Sequence, residues 1–153
     1  MTSRYGLEIR AATAADAPGL AELLAEAGEQ AAGRVITTRV EALRQGAGTV
    51  LIAQEWGPPS GVIALHWYPS LLEDRPVAQV TLLLVGQDSR RRGIGRLLVK
   101  AAAQAARSAG CGALEMALAE DGEAMRGFCA ATGFVEGGAR FTRSLRRQGE
   151  RPG

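Results

Sequence analysis

The stretch that decides the fold joins an apolar strand to a long helix and covers residues 85–98. It reads Val85-Gly86-Gln87-Asp88-Ser89-Arg90-Arg91-Arg92-Gly93-Ile94-Gly95-Arg96-Leu97-Leu98. Its two closely spaced glycines, Gly93 and Gly95, leave room for a ligand to approach the backbone, and the first amides of a helix have no acceptor within the helix. These amides and the positive end of the helix dipole favour a phosphate or pyrophosphate. The stretch therefore predicts an anion-binding site at the start of a helix.

Basic side chains concentrate in the same stretch, and two familiar phosphate motifs do not fit it. Five of eleven consecutive positions are basic: Arg90, Arg91, Arg92, Arg96 and Lys100. A dinucleotide-binding fingerprint needs a third glycine where this chain has Leu98, and a P-loop needs Gly-Lys followed by Ser or Thr. A phosphate-binding motif of another kind is indicated.

The segments before this stretch predict two helices and an antiparallel block of strands. Val77–Val85 is mostly apolar and indicates a buried central strand. A capping-box spacing at Thr13–Asp16 predicts an amphipathic helix ending at Gly28, and a weaker helical pattern follows at 37–45. The other strands are predicted at 6–10, 49–54 and 62–68, with a turn at 57–61 between the last two.

The segments after the stretch change the architecture. An apolar stripe that begins at Ile94 predicts a long helix ending at Gly110, followed by a strand at 113–118, a short helix at 123–132 and a last strand at 139–146. Strand, helix, strand after an antiparallel block implies a mixed sheet. We therefore predict one α+β domain over residues 1–153, an α/β/α sandwich whose mostly antiparallel sheet is flanked by about four helices, with 147–153 as a loose tail.

Composition excludes several classes of protein. With 46% hydrophobic and 22% charged residues in a chain of 153, the protein has the balance of an ordinary globular domain. Two cysteines, Cys111 and Cys129, and a single histidine build neither a disulfide framework nor a metal site, so we expect no metal. The sequence offers no membrane-spanning run and no apolar signal core, and we expect a cytoplasmic protein without a membrane partner.

The spacing Arg-x-x-Gly-x-Gly after a strand that ends in Val85 resembles the coenzyme A signature of the GNAT acetyltransferases. The likeness extends to the strand-to-helix junction at residues 9–13, to Phe128 and to the turn Gly133-Phe134. It implies a GNAT fold and an N-acetyltransferase that moves the acetyl group of acetyl-coenzyme A to a primary amine of a small molecule, a peptide or a protein. The partners are then acetyl-coenzyme A and an amine acceptor.

The resemblance also implies which residues bind the cofactor. The pantetheine arm pairs with backbone near Leu83, Leu84 and Val85, and the pyrophosphate lies on the amides from Arg91 to Arg96. The implied cofactor residues are Leu83, Leu84, Val85, Arg90, Arg91, Arg92, Gly93, Ile94, Gly95, Arg96 and Phe128. Arg91, Arg92 and Lys100 are alternative partners of the adenosine 3′-phosphate, where the planar fork of arginine is well suited.

Two positions depart from the family pattern. Some relatives carry a glutamate six residues before the valine, as general base, where this chain has Gln79. Members often place a tyrosine, which protonates the departing thiolate, directly after the phenylalanine of the closing helix, where this chain has Cys129. A thiol can donate a proton, and it can equally be a core thiol that packs beside Phe128.

Hairpin geometry suggests another catalytic candidate. If Tyr68 pairs with Val77, His66 lies opposite Gln79 on the same face. A histidine ordinarily titrates near neutral pH, so His66 is a candidate general base and Tyr68 a reserve proton donor. A purely structural histidine and a proton path through ordered water are open alternatives. We therefore name His66, Gln79, Tyr68 and Cys129 as candidate catalytic residues.

Two other functions compete with acetyl transfer. A coenzyme A sensor or regulatory protein of weak or no activity fits the changes at Gln79 and Cys129. Nucleic-acid binding fits the arginines, but aromatic residues make up 5% of the chain and none lies among the basic ones, so we expect no nucleic-acid partner. Glu55, Glu73, Asp74 and Glu115 are either solvated carboxylates or attractants for a cationic acceptor. We expect a monomer or a homodimer.

Overall fold

The computed structural model describes residues 3–4, 6–90, 92–117, 122–138 and 140–146. Within them the strands are β1 Ser3–Arg4, β2 Leu7–Ala11, β3 Gly48–Gln54, β4 Gly61–Tyr68, β5 Val77–Val85 and β6 Ala113–Met116. The α-helices are α1 Ala17–Glu26, α2 Gly33–Gln45, α3 Ile94–Ser108 and α4 Glu123–Ala131. Short 3₁₀ turns at Ala14–Asp16 and Gln87–Ser89 lead into α1 and the loop before α3.

The strands form one mixed sheet in the order β1-β2-β3-β4-β5-β6. Neighbours from β1 to β5 are antiparallel. The connection between β2 and β3 runs through α1 and α2, and the other antiparallel pairs are joined by turns or loops, whereas β6 runs parallel to β5 after the crossover through α3. The expected α+β class, with its mostly antiparallel sheet and four flanking helices, is confirmed.

Each face of the sheet carries its own apolar core. The α3 face holds Ile63, Leu65 and Val80 against Ile94 and Leu98 of the long helix. The second face packs against α1 and α2, with this core: Ala12, Ala17, Leu20, Leu23, Ile36, Val40, Val50, Ile52, Val62 and Ala64. A strand interior to such a sheet is apolar on both faces, which is why β5 reads as a nearly continuous apolar run.

A polar network fixes the start of the first helix. The Thr13 amide donates to the Asp16 carboxylate at 2.8 Å, as the capping-box spacing predicted. Arg10 of β2 donates to both oxygens of the same carboxylate, at 2.8 and 2.9 Å, and also to Gln54 of β3. Asp16 is buried, so its charge is stabilised by this guanidinium rather than by water.

The C-terminus differs from the sequence-based expectation. A last strand was predicted at 139–146, but residues 140–146 form neither strand nor helix, and Ala139 lies outside the described residues. Phe141 and Leu145 are exposed. The residue types of a segment can suit a strand, but a strand also needs a neighbour that pairs with its backbone groups. Strand β6 ends at Met116 in the structure, and Leu118, its predicted end, lies outside the described residues.

Candidate active site

Strands β5 and β6 pair over four residues only. The parallel ladder runs from Val77 opposite Ala113 to Val80 opposite Met116, while β5 continues to Val85. In the part of the chain that the structure describes, the edge of β5 beyond Val80 therefore has no partner strand. The sheet opens at this point.

The backbone of Leu83 and Val85 faces the open edge. The Gly86 amide donates to the Ser60 carbonyl at 2.8 Å and so continues the β4–β5 ladder beyond the strands. Hydrogen-bonded and non-hydrogen-bonded pairs alternate along an antiparallel ladder. Counting back from Gly86, Leu84 directs its N–H and C=O toward β4, whereas Val85 and Leu83 direct theirs away from it. Of the three backbone positions named for the cofactor, Leu83 and Val85 face the open edge and Leu84 faces β4.

A β-bulge lies where the sheet opens. The β4–β5 register passes from Ala64 opposite Leu82 to Leu65 opposite Val80, which leaves Thr81 as an extra residue. Its hydroxyl lies 3.4 Å from the Ala64 carbonyl oxygen. The bulge reverses the alternation of side chains, because Val80 belongs to the α3 core whereas Leu82 packs against the α1–α2 core.

The start of α3 presents backbone donors. Gly93, the residue before the helix, has φ 77°, a left-handed conformation that favours glycine, and no side chain caps the helix. The amide of Leu97 bonds to the Gly93 carbonyl at 3.1 Å. The amides of Ile94, Gly95 and Arg96 precede that first helical bond and have no acceptor within the helix.

Gly95 brings three elements together. A Cβ at this position would stand 3.2 Å from the Phe128 ring of α4 and 3.7 Å from Val85 Cγ2. The missing side chain of Gly95 makes room for the Phe128 ring, and the close approach of a ligand to its backbone stays a prediction. The guanidinium of Arg96 lies 3.4 Å from the Ala131 carbonyl and joins α3 to α4 a second time.

The arginines before α3 do not all point to the same place. Arg92 forms an ion pair with Glu55, which follows β3. Arg90 is exposed, and its Nε lies 3.5 Å from the carbonyl oxygen of Val85, at the open edge. Arg91 lies outside the described residues. Arg90 is therefore the arginine that the structure places beside the end of β5.

The candidate catalytic residues of the hairpin come together. The structure pairs Tyr68 with Val77 and His66 with Gln79, as the hairpin alignment predicted. Gln79 is in turn opposite Glu115 of β6, so His66, Gln79 and Glu115 form a row across three strands. This row lies one residue before the point where β5 and β6 separate, on the face that carries α1 and α2.

Tyr68 reaches across the sheet. Its hydroxyl donates to Glu115 Oε1 at 3.2 Å, and its ring stacks on His66 with centroids 5.5 Å apart. Partial burial, and then the hydrogen bond and charge of Glu115, raise the pKa of Tyr68. Sequence reasoning missed this pair, because the register of a parallel strand that follows a helix leaves no local signal in the sequence.

Cys129 lies on the other face of the sheet. Its Sγ is 3.6 Å from Sδ of Met116, which packs with the α3 core. Glu115, the neighbour of Met116, points to the opposite face because strand side chains alternate. Burial raises the pKa of the Cys129 thiol. The four candidate catalytic residues thus divide into His66, Tyr68 and Gln79 on one face and Cys129 on the other.

Carboxylates gather where β5 and β6 begin. A shallow, open depression is lined by Glu73, Asp74, Arg75, Pro76, Val77, Gly112, Ala113 and Glu115. Among the described residues, no group of three or more histidine, cysteine, aspartate or glutamate side chains is arranged to hold a metal ion.

A family model described as "Acetyltransferase (GNAT) family" matches residues 17–134, which span α1 to the turn after α4. The chain belongs to the GNAT acetyltransferase family. Membership makes this protein an acyltransferase.

Solved GNAT structures superpose on nearly the whole chain. A putative acetyltransferase from Agrobacterium tumefaciens is 26% identical, with a TM-score of 0.80 over 90% of this chain and 99% of the other. Glucosamine-6-phosphate N-acetyltransferase from Arabidopsis thaliana is 15% identical, with a TM-score of 0.79 over 92% and 99%. An aminoglycoside acetyltransferase from an uncultured soil metagenomic sample, solved with sisomicin, is 20% identical, with a TM-score of 0.75 over 92% and 97%.

A search of curated proteins found no match to this GNAT chain. None of the helices in the described ranges has both the length and the apolar character required to span a bilayer.

Proposed function

We propose that this GNAT enzyme transfers the acetyl group of acetyl-coenzyme A to a primary amine of a small molecule, a peptide or a protein. The proposal depends on one observation: the open edge of β5, with its unpaired backbone groups, ends beside the uncapped start of α3. An extended arm that ends in a diphosphate needs such a strand edge followed by such a cluster of amides.

The cofactor residues follow from this arrangement. Leu83 and Val85 would pair with the amide groups of the pantetheine arm, since their backbone groups face away from β4. The amides of Ile94, Gly95 and Arg96 would receive the pyrophosphate, with the helix dipole adding to the attraction. Phe128 supports this site through its contact with Gly95.

Arginine side chains would add to the attraction for phosphate. Arg90 lies at the open edge and is exposed. To bind the cofactor, the Arg92 guanidinium would have to leave the Glu55 carboxylate and pair with a phosphate oxygen. A carboxylate and a phosphate are both anionic partners suited to a guanidinium. Lys100 is exposed on α3, two turns beyond the helix start, and is a further candidate for the 3′-phosphate.

Acetyl transfer requires an uncharged amine. The amine nitrogen forms a bond to the thioester carbonyl carbon, the carbon–sulfur bond breaks, and the coenzyme A thiolate leaves with the bonding electrons. His66 is our candidate acceptor of the amine proton, and Gln79 beside it would orient the amine or a water molecule through its amide. Cys129, on the opposite face, is left a packing role in this proposal.

The amine acceptor is proposed at class level. The GNAT structures that superpose on this chain include enzymes named for glucosamine-6-phosphate and for aminoglycosides, both of which are amines. The acidic depression beside Glu115 would favour a cationic acceptor of the same general kind.

One pair of variants tests the backbone cradle. Arg96→Pro removes the Arg96 amide in the first helical turn, where proline is tolerated, whereas Arg96→Ala removes only the side chain. Calorimetric titration with coenzyme A should show about tenfold weaker binding for Arg96→Pro and a much smaller loss for Arg96→Ala, with similar melting temperatures. Equal losses would show that the amide is not used, and no coenzyme A binding by the wild type would refute the proposal.

Turnover needs a separate assay. Release of coenzyme A thiol from acetyl-coenzyme A should depend on an added primary amine from a panel of aminoglycosides, amino sugars, polyamines and peptides. Binding of coenzyme A without turnover of any amine would favour a cofactor-sensing role instead.

A further inference from the structure

The hydrogen bond between Tyr68 and Glu115 passes over a strand. Tyr68 belongs to β4 and Glu115 to β6, and β5 lies between them. Adjacent strands are about 4.8 Å apart, so the two backbones are separated by roughly 10 Å. A tyrosine and a glutamate directed toward each other just span this gap. Their bond therefore crosses β5 near Val77 and Gln79, the residues opposite Tyr68 and His66.

The same tyrosine touches the candidate base. The rings of Tyr68 and His66 stack at 5.5 Å with an interplanar angle of 29°. Tyr68 is exposed and His66 half-buried, so neighbouring core atoms do not fully fix either ring. The stacking contact and the Glu115 hydrogen bond therefore add to the limits on their rotamers.

We infer that Glu115 is a positioning residue of the acyl-transfer site: its carboxylate holds the Tyr68 hydroxyl, and the Tyr68 ring holds the imidazole of His66 beside Gln79. The inference rests on the proposed function, because it gives His66 a partner in acetyl transfer. A group that must meet a substrate within a few tenths of an ångström needs supporting contacts of this kind. Some relatives carry a glutamate at the position of Gln79, and an amide cannot replace that carboxylate. Glu115, which lies opposite Gln79 on β6, places a carboxylate at the neighbouring position.

The bond also defines what Tyr68 does. A phenol that donates to a carboxylate keeps its proton, and its raised pKa makes it a poorer acid toward a departing thiolate. Among the described residues, the depression that contains Glu115 is also lined by the charged side chains of Glu73, Asp74 and Arg75. In this account Tyr68 serves through its ring and its bond, and not as the reserve proton donor.

The chain contains one histidine, so its imidazole gives one unambiguous set of NMR ring signals. In the wild type, the Tyr68 ring current should displace these signals from their positions in unfolded protein. Glu115→Ala should remove at least half of that displacement because the ring is released. Glu115→Gln keeps an acceptor for the hydroxyl and should retain most of it. Glu73→Ala, which removes a carboxylate from the same depression, is the matched control and should leave the ring signals in place.

Kinetics then separate positioning from substrate binding. Glu115→Ala and Tyr68→Phe should each lower kcat about five- to tenfold with little change in KM, and the double variant should be no worse than either single one, because both break the same bond. Glu115→Gln should recover most of kcat.

Three results would overturn the inference. One is an unchanged His66 spectrum in Glu115→Ala. Another is additive losses in the double variant. A third is a loss confined to KM that Glu115→Gln does not repair, which would make Glu115 a binding site for the acceptor cation. Absence of wild-type turnover would instead count against the proposed function, and the NMR comparison would still decide whether Glu115 orders His66.

Discussion

The ring of Phe128 occupies the space that a side chain at Gly95 would need. A Cβ at Gly95 would stand 3.2 Å from Cε1 and 3.3 Å from Cζ of that ring. The contact joins the start of α3 to α4, and both flank the open edge of β5. The geometry of the proposed cofactor site thus depends on a glycine on one helix and an aromatic ring on another.

Gly95→Val should destabilise the protein by about 1–3 kcal/mol, because its branches would displace the ring in a packed contact. Urea denaturation gives the change in the free energy of unfolding. In a Phe128→Ala background the same substitution should cost much less, since the ring that it strikes is gone. Equal costs in the two backgrounds would show that Phe128 is not the group that excludes a side chain at position 95.

Asp16 makes stability depend on pH. The hydrogen bond from Arg10 comes first among the causes that lower the pKa of Asp16 in the folded protein, and the Thr13 amide adds to the effect. A depressed folded-state pKa contributes stability at pH values above the unfolded-state pKa of about 3.9, and that contribution is lost as pH falls through the folded-state value. Asp16→Asn should cost about 2–3 kcal/mol at pH 7 and lose less of its stability below pH 4 than the wild type does.

The control for Asp16 is an exposed pair. On the surface of α2, a guanidinium nitrogen of Arg44 lies 2.9 Å from Oε1 of Glu41. Glu41→Gln should change the free energy of unfolding by less than about 0.5 kcal/mol, because water screens such a pair. If both variants behaved alike from pH 7 to pH 3, the buried network around Asp16 would not be the source of the acid sensitivity.

Glu55 competes with cofactor phosphate for Arg92. Glu55→Ala frees the guanidinium and removes a negative charge near the start of α3, so coenzyme A should bind about two- to fivefold more tightly at low salt. Screening should largely remove the gain at 0.5 M salt, while Glu41→Ala should change affinity at neither salt concentration. Unchanged or weaker binding by Glu55→Ala would mean that Arg92 does not contact the cofactor.

Cys129 should prove dispensable for chemistry. Its thiol lies against Met116 on the face opposite His66, and burial keeps it protonated. Cys129→Ala should keep kcat within about twofold of the wild type and lose about 1 kcal/mol of stability. A tenfold fall in kcat that Cys129→Ser restores would instead identify it as a proton donor.

The parts of the fold that could be predicted are those that depend on short-range sequence patterns. The bounds of β5 and the start of α3 were predicted residue for residue, because an apolar run ends at a glycine and a helical stripe begins at Ile94. The opposition of His66 and Gln79 was also accessible, because it follows by counting two residues along each strand once Tyr68 is placed opposite Val77. Local spacing was enough in each case.

The parts that escaped prediction are non-local. Glu115 and Tyr68 are 47 positions apart in the sequence, and the register of β6 is set by how α3 packs rather than by any turn. The pairing of Arg92 with Glu55 is likewise a product of the folded arrangement. The last strand, predicted at 139–146, also depended on a non-local property, because a strand needs a neighbouring strand whose backbone can pair with its own.

The bulge residue Thr81 affects which single-residue deletions strand β5 can tolerate. Because Thr81 is the extra residue of the bulge, deleting it would make Val80 and Leu82 direct neighbours on opposite faces, and the four residues that follow would keep their present faces. Pairing Thr81 regularly, without the bulge, would instead turn Leu82 and Leu84 to the long helix and Leu83 and Val85 to the two N-terminal helices. All four are apolar, so hydropathy alone would tolerate either phase. The bulge at Thr81 therefore decides which side of the sheet each of these side chains occupies. Deleting Thr81 should be tolerated better than deleting Leu83, which would turn Leu84 and Val85 to the opposite faces.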